Sequence, residues 1–76
     1  MTAKEAVIKR IEELCRTQKI TYYTLAYRSA IPKSTLMNIF KGTNPTVGTV
    51  CKICNGFGIS MSEFFSSEDF EKCEEE

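Results

Sequence analysis

Pro32 divides residues 20–42 into two short segments, and no other single residue does more to limit how this chain folds. Its ring fixes φ and removes a backbone donor, and it pushes Ile31 out of helical angles. A helix on its N-terminal side must therefore stop near Ser29 and Ala30. That upstream segment carries its own start signal. The Thr21 hydroxyl is placed to accept a hydrogen bond from a first-turn N–H, and Ile20 and Leu25 have the spacing of a hydrophobic staple across the cap. Downstream of the proline, Leu36, Ile39 and Phe40 recur at i, i+3 and i+4, which predicts a helix over residues 33–41. Lys33, Ser34, Met37, Asn38 and Lys41 lie away from Leu36 and Ile39. Gly42 closes the helix, because it takes the left-handed conformation at little cost.

The same capping logic locates the remaining elements. Thr2 and Glu5 have capping-box spacing, and Val7, Ile8, Ile11, Leu14 and Cys15 form one apolar face of a helix running to about Thr17. After the loop Gly42-Thr43-Asn44-Pro45, Thr46 caps a helix that turns Val47, Val50, Ile53, Cys54 and Phe57 inward and ends at Gly58. Ser60 and Glu63 repeat the capping spacing, with Ile59 and Phe64 as staple partners, so a short fifth helix covers about residues 61–66. No apolar alternation of period two marks a strand. The expected architecture is all-α: five short helices around one core, forming a domain over residues 1–66, followed by an acidic tail over residues 67–76. In that tail Ser67 can cap a final turn, and Phe70 and Cys73 are spaced to face the body or a partner.

Seventy-six residues are near the lower limit for a self-sufficient core, and the 42% hydrophobic content suits an ordinary globular interior. The formal net charge is zero, but it is unevenly spread. Residues 66–76 hold six of the ten acids and one of the ten bases, leaving residues 1–65 with an excess of five positive charges. Such a body can bind phosphates. No run approaches the roughly 18 apolar residues of a membrane span, and the N-terminus lacks a signal-peptide core, so the expected location is the cytoplasm.

Four local patterns stand in register: Leu25-Ala26, Ile31-Pro32, Ser34-Thr35-Leu36 and Asn44-Pro45. Together they resemble the helix-turn-helix of the phage-repressor or Cro-like family, the lambda-repressor-like fold of XRE-type regulators, over about residues 11–65. The resemblance implies a sequence-specific, double-stranded-DNA-binding regulator, usually a repressor, acting as a symmetric homodimer on two half-sites. The fifth helix and the tail are then the candidates for the dimer contact. In such a protein the helix after Pro32 enters the major groove. Lys33, Ser34, Met37 and Asn38 would face bases, joined by Asn44 from the loop, with Asn38 suited to adenine and Met37 to a thymine methyl. Tyr22, Thr35, Lys41, Thr43 and Thr46 would lie against phosphates. Two positions depart from the family pattern. Tyr22 stands where a glutamine that bonds the DNA backbone is frequent, and Ala30 where glycine is common. If Ala30 takes a positive φ, the substitution costs about 1 kcal/mol.

Bland roles compete for some of these residues. Met37 also fits a protein contact, and Tyr22 and Tyr23 can cover the core edge. Cys51 and Cys54 form a C-x-x-C on one helix face, yet no strand precedes them as a thioredoxin-like site requires. Cys54 falls at a position the family fills with a small buried residue. A zinc site would need Cys15 and Cys73 as further ligands, because the chain has no histidine. Neither metal nor cofactor is expected, and in a reducing compartment the thiols stay free. Without histidine, a phosphate-binding glycine loop or paired acids, the sequence argues against an enzyme and offers no small-molecule substrate site. A protein-interaction module of antitoxin-like type on the same fold is the alternative, motivated by the neutral net charge, Met37 and the acidic tail. A redox or metal-binding protein built on the cysteine pair is the third reading.

Overall fold

Hydroxyl caps begin five of the helices. In the computed structural model, which describes residues 1–75, α1 (Ala3–Gln18) starts under Thr2. The Thr2 hydroxyl accepts from the Glu5 N–H, and the Glu5 carboxylate accepts the Thr2 N–H at 2.8 Å. Thr21 caps α2 (Tyr22–Ser29), Thr46 caps α4 (Val47–Phe57), and Ser60 caps α5 (Met61–Phe64), each accepting from the backbone N–H three residues on. Between them α3 (Lys33–Phe40) has no side-chain cap. Pro32 holds the cap position at φ −61°, so the proline that ends one helix also sets the entry to the next. A sixth helix, α6 (Glu68–Glu71), begins at Ser67, in the tail where the sequence allows a short helix beyond the five predicted. The order is all-helical, with no strand among the described residues.

Helix ends use the left-handed conformation repeatedly. Gly58 takes it at φ 75°, Ala30 at φ 57° and Lys19 at φ 56°. Ala30 therefore does occupy the position that glycine would fill more cheaply. Nothing in the local sequence marks Lys19.

The core joins the inward faces of α1 to α5. Ile11, Leu25, Leu36, Ile39, Ile53 and Phe64 are almost wholly buried, with Val7, Leu14, Cys15, Val50, Cys54 and Phe57 around them. One predicted member is absent: Val47 is 76% exposed. It is the first residue of α4, and helical side chains lean toward the N-terminus, so it projects past the end of the core. Helices α2 and α4 pack closest where Gly56 faces Ser29. A Cβ at Gly56 would overlap the Ser29 hydroxyl and lie 3.1 Å from the Ser29 backbone N. The buried Ser29 Oγ has no hydrogen-bond partner.

The acidic segment is fastened to α1. Phe70 stacks with Phe65 at 4.8 Å and with Phe64 at 5.9 Å between ring centroids, and Lys9 pairs with Asp69 at 3.4 Å. Arg10 donates to the carbonyls of Glu63 and Phe64, both at 2.8 Å, which fixes the end of α5 against the same helix. Finally the Glu74 N–H donates to the Met1 carbonyl at 2.8 Å, and the Ala3 N–H to the Glu75 carboxylate at 3.1 Å. Among the described residues no helix is long and apolar enough to cross a membrane.

Candidate nucleic-acid interface

Helix α3 owes its placement to three inward residues. Leu36 and Ile39 are buried and Phe40 packs beside them, leaving Ser34, Asn38 and Lys41 exposed on the opposite side. At its C-terminus the Thr43 N–H returns to the Asn38 carbonyl at 3.0 Å and the Gly42 N–H to the Ile39 carbonyl at 3.0 Å. Gly42 itself sits at φ 109°, a conformation that side chains rarely adopt. This closure folds the following loop back beside α3. As a result Thr35, Asn38, Thr43, Asn44 and Thr46 line one shallow concavity between α3 and the start of α4. Thr49 joins them, its hydroxyl bonded to that of Thr46 at 3.0 Å. The Thr46–Thr49 spacing is the signal that would have pointed to it.

Five predicted site residues lie outside this concavity: Ser34 and Lys41, which are exposed, and Lys33, Tyr22 and Met37. Lys33 is exposed, but its ammonium rests 5.9 Å above the centre of the Tyr23 ring. Tyr22 stacks on Phe40, with ring centroids 4.6 Å apart, and borders a depression that also involves Glu12, Cys15 and Arg16 of α1. Burial chiefly, and the Glu12 charge next, push its phenol above the ordinary value. Met37, grouped with the exposed positions from the sequence, is half-buried against the core. It stands one 100° step from Leu36, and its unbranched side chain can fold back across the core edge. Tyr23 differs from expectation in the other direction: it is 69% exposed and covers no core edge.

The charge around α3 is one-sided. No acidic residue occurs in residues 14–62, which carry six bases. The ion pairs among the described residues are Lys9–Asp69, Arg10–Glu13 and Lys72–Glu68, all on α1 and the C-terminal segment. Lys4 adds a base that sequence spacing does not associate with the loop: a Cβ at Gly42 would lie 3.9 Å from its ammonium. This leaves the α3 side positive although the whole chain is neutral.

The cysteines make no comparable grouping. Cys51 is exposed, Cys15 and Cys54 are buried and Cys73 is half-buried, so the C-x-x-C does not present two thiols to one surface. Burial pushes the Cys15 and Cys54 thiols up, the nearby Cys51 adding to the effect at Cys54. Among the described residues no group of three His, Cys, Asp or Glu could hold a metal ion.

Two short helices joined by a tight turn, the second offering a polar face beside a basic surface, define a helix-turn-helix nucleic-acid-binding domain. The comparisons agree. The model of the Cro/C1-type helix-turn-helix DNA-binding domain matches residues 10–69, and the chain belongs to that family. It is similar to the solved prophage Lp1 protein 11, at 30% identity and a TM-score of 0.84, over 95% of this chain and 97% of that one. No curated protein matches it.

Proposed function

We propose that this protein is a sequence-specific transcriptional repressor that reads the DNA major groove with α3. The observation that carries this reading is the exposed set Ser34, Asn38 and Lys41 together with a concavity that holds Asn38 and Asn44 and whose lining includes no acid. Asn38 can pair bidentately with adenine, and Ser34 and Asn44 offer further polar contacts to base edges. Met37, half-buried at the core edge, is the candidate for contact with a thymine methyl. Lys41, Thr43 and Thr46, with Thr35 and Tyr22, flank these positions and would hold phosphates, which set register without reading sequence. Bound there, the protein would block the promoter in the cytoplasm.

A homodimer completes the proposal, because one small domain makes few phosphate contacts and symmetric half-sites double them. The apolar hollow bordered by Val7, Pro45, Val47, Val50, Met61 and Phe65 supports a contact of this kind. Phe70 is already engaged within its own chain.

Selection of bound sequences from random duplex DNA, alongside a mass measurement in solution, tests the reading. Asn38→Ala should cost about 1–3 kcal/mol on the selected site and relax preference at one position. Lys41→Ala should weaken all duplexes alike and reduce the salt slope by about one. If neither substitution changes DNA binding, these assignments fail.

A further inference from the structure

Lys33 lies at the edge of the face placed to read bases, near Met37 and far from Asn38. Asn38 is five positions further on, which at about 100° per residue puts the two about 140° apart around α3, whereas Ser34 and Asn38 are about 40° apart. Its ammonium is instead drawn back over the Tyr23 ring of α2, at 5.9 Å from the centroid. That distance lies inside the roughly 6 Å range in which an aromatic face attracts a cation. Tyr23, Tyr27 and Lys33 together line a shallow hollow floored by Ala26 and Ile31. Both tyrosines are strongly exposed, at 69% and 72%, and the hollow contains no acid to neutralise the ammonium. Two large aromatic side chains standing in solvent beside a lysine are an arrangement that core packing does not explain.

We propose that Tyr23 is a positioning residue for Lys33, holding its ammonium at the flank of the groove as a clamp for a DNA backbone phosphate and not as a reader of a base. The proposal rests on the DNA-binding reading above. In a helix-turn-helix the first helix crosses the backbone while the second enters the groove, so a lysine held against the first helix is held toward the phosphates. The Tyr23 ring limits the freedom of a flexible side chain that would otherwise sample both the groove and solvent. Tyr27 forms the outer wall of the hollow, where its phenol can donate to the same anion.

The test compares wild type, Lys33→Met, Tyr23→Phe, Tyr23→Leu and the Tyr23→Leu/Lys33→Met double variant. Each is measured on the selected duplex and on a shuffled one over a range of salt, with melting curves to show that all are folded. Lys33→Met should weaken both duplexes by the same factor and lower the salt slope by about one, leaving base preference unchanged. Tyr23→Phe, which keeps the ring, should bind like wild type. Tyr23→Leu should lose about two- to fivefold, and none of that loss should remain in the Lys33→Met background. A changed preference at one base pair with Lys33→Met would overturn the clamp while leaving the DNA-binding reading intact. So would a Tyr23→Phe as weak as Tyr23→Leu, or a Tyr23→Leu loss that persists without the lysine charge. If wild type binds no duplex at low salt, the DNA-binding reading falls and the clamp with it.

Discussion

Ala30 shows how a single side chain can work against the turn it occupies. At φ 57° its Cβ meets the strain that keeps most residues out of the left-handed region, a cost of about 1–2 kcal/mol. Ala30 is exposed, so removing that Cβ forfeits no packing. Glycine gains entropy in the unfolded chain, which offsets part of the relief. Ala30→Gly should therefore stabilise the fold by about 0.5–1 kcal/mol and raise the melting temperature by a few degrees. Ser29, its neighbour, holds a buried hydroxyl without a partner, and Ser29→Ala should raise stability by about 1 kcal/mol in a denaturant titration. Gly56→Ala should do the reverse. Its Cβ would overlap the hydroxyl and press on the Ser29 backbone, an overpacking that costs about 1–3 kcal/mol and that Ser29→Ala should only partly rescue.

At the scale of helices, α4 turns Cys51 to solvent and Cys54 to the core. A chromogenic thiol reagent at neutral pH should label Cys51 rapidly and reach Cys15 and Cys54 only as the chain unfolds. The buried pair also sets an alkaline limit. Burial raises both thiols above their ordinary 9.0 in the folded state, so unfolded chains ionise first as pH rises. Their contribution is whole below about pH 9 and is lost progressively above it, which the urea midpoint at about pH 7.5 and pH 10 should show as a fall. The helices themselves were largely legible. Thr2, Thr21, Thr46 and Ser60 each cap where their spacing with a first-turn residue indicates, and Pro32 and Gly58 punctuate as expected. What spacing could not show is where a stripe runs past the core, as at Val47, or where a long flexible side chain folds back, as at Met37. Nor could it bring Lys4 beside Gly42 or Lys33 over Tyr23, since those proximities depend on the angles between helices.

For the molecule as a whole, the acidic segment closes one side of the core. Phe70 covers Phe64 and Phe65, and Asp69 pairs with Lys9 across the gap to α1. Phe70→Ala should cost about 1–2 kcal/mol, because the ring is only partly buried, and should leave Phe65 more accessible to an apolar dye. Lys9→Ala should matter little by comparison, since an exposed pair contributes under about 1 kcal/mol. The bond from the Glu74 N–H to the Met1 carbonyl also brings residue 74 beside residue 1. Sequence fused before residue 1 and sequence continuing past residue 75 would therefore leave from neighbouring points. A short peptide bridging the two ends, with a new opening cut at Gly58, should give a circular permutant that keeps every helix.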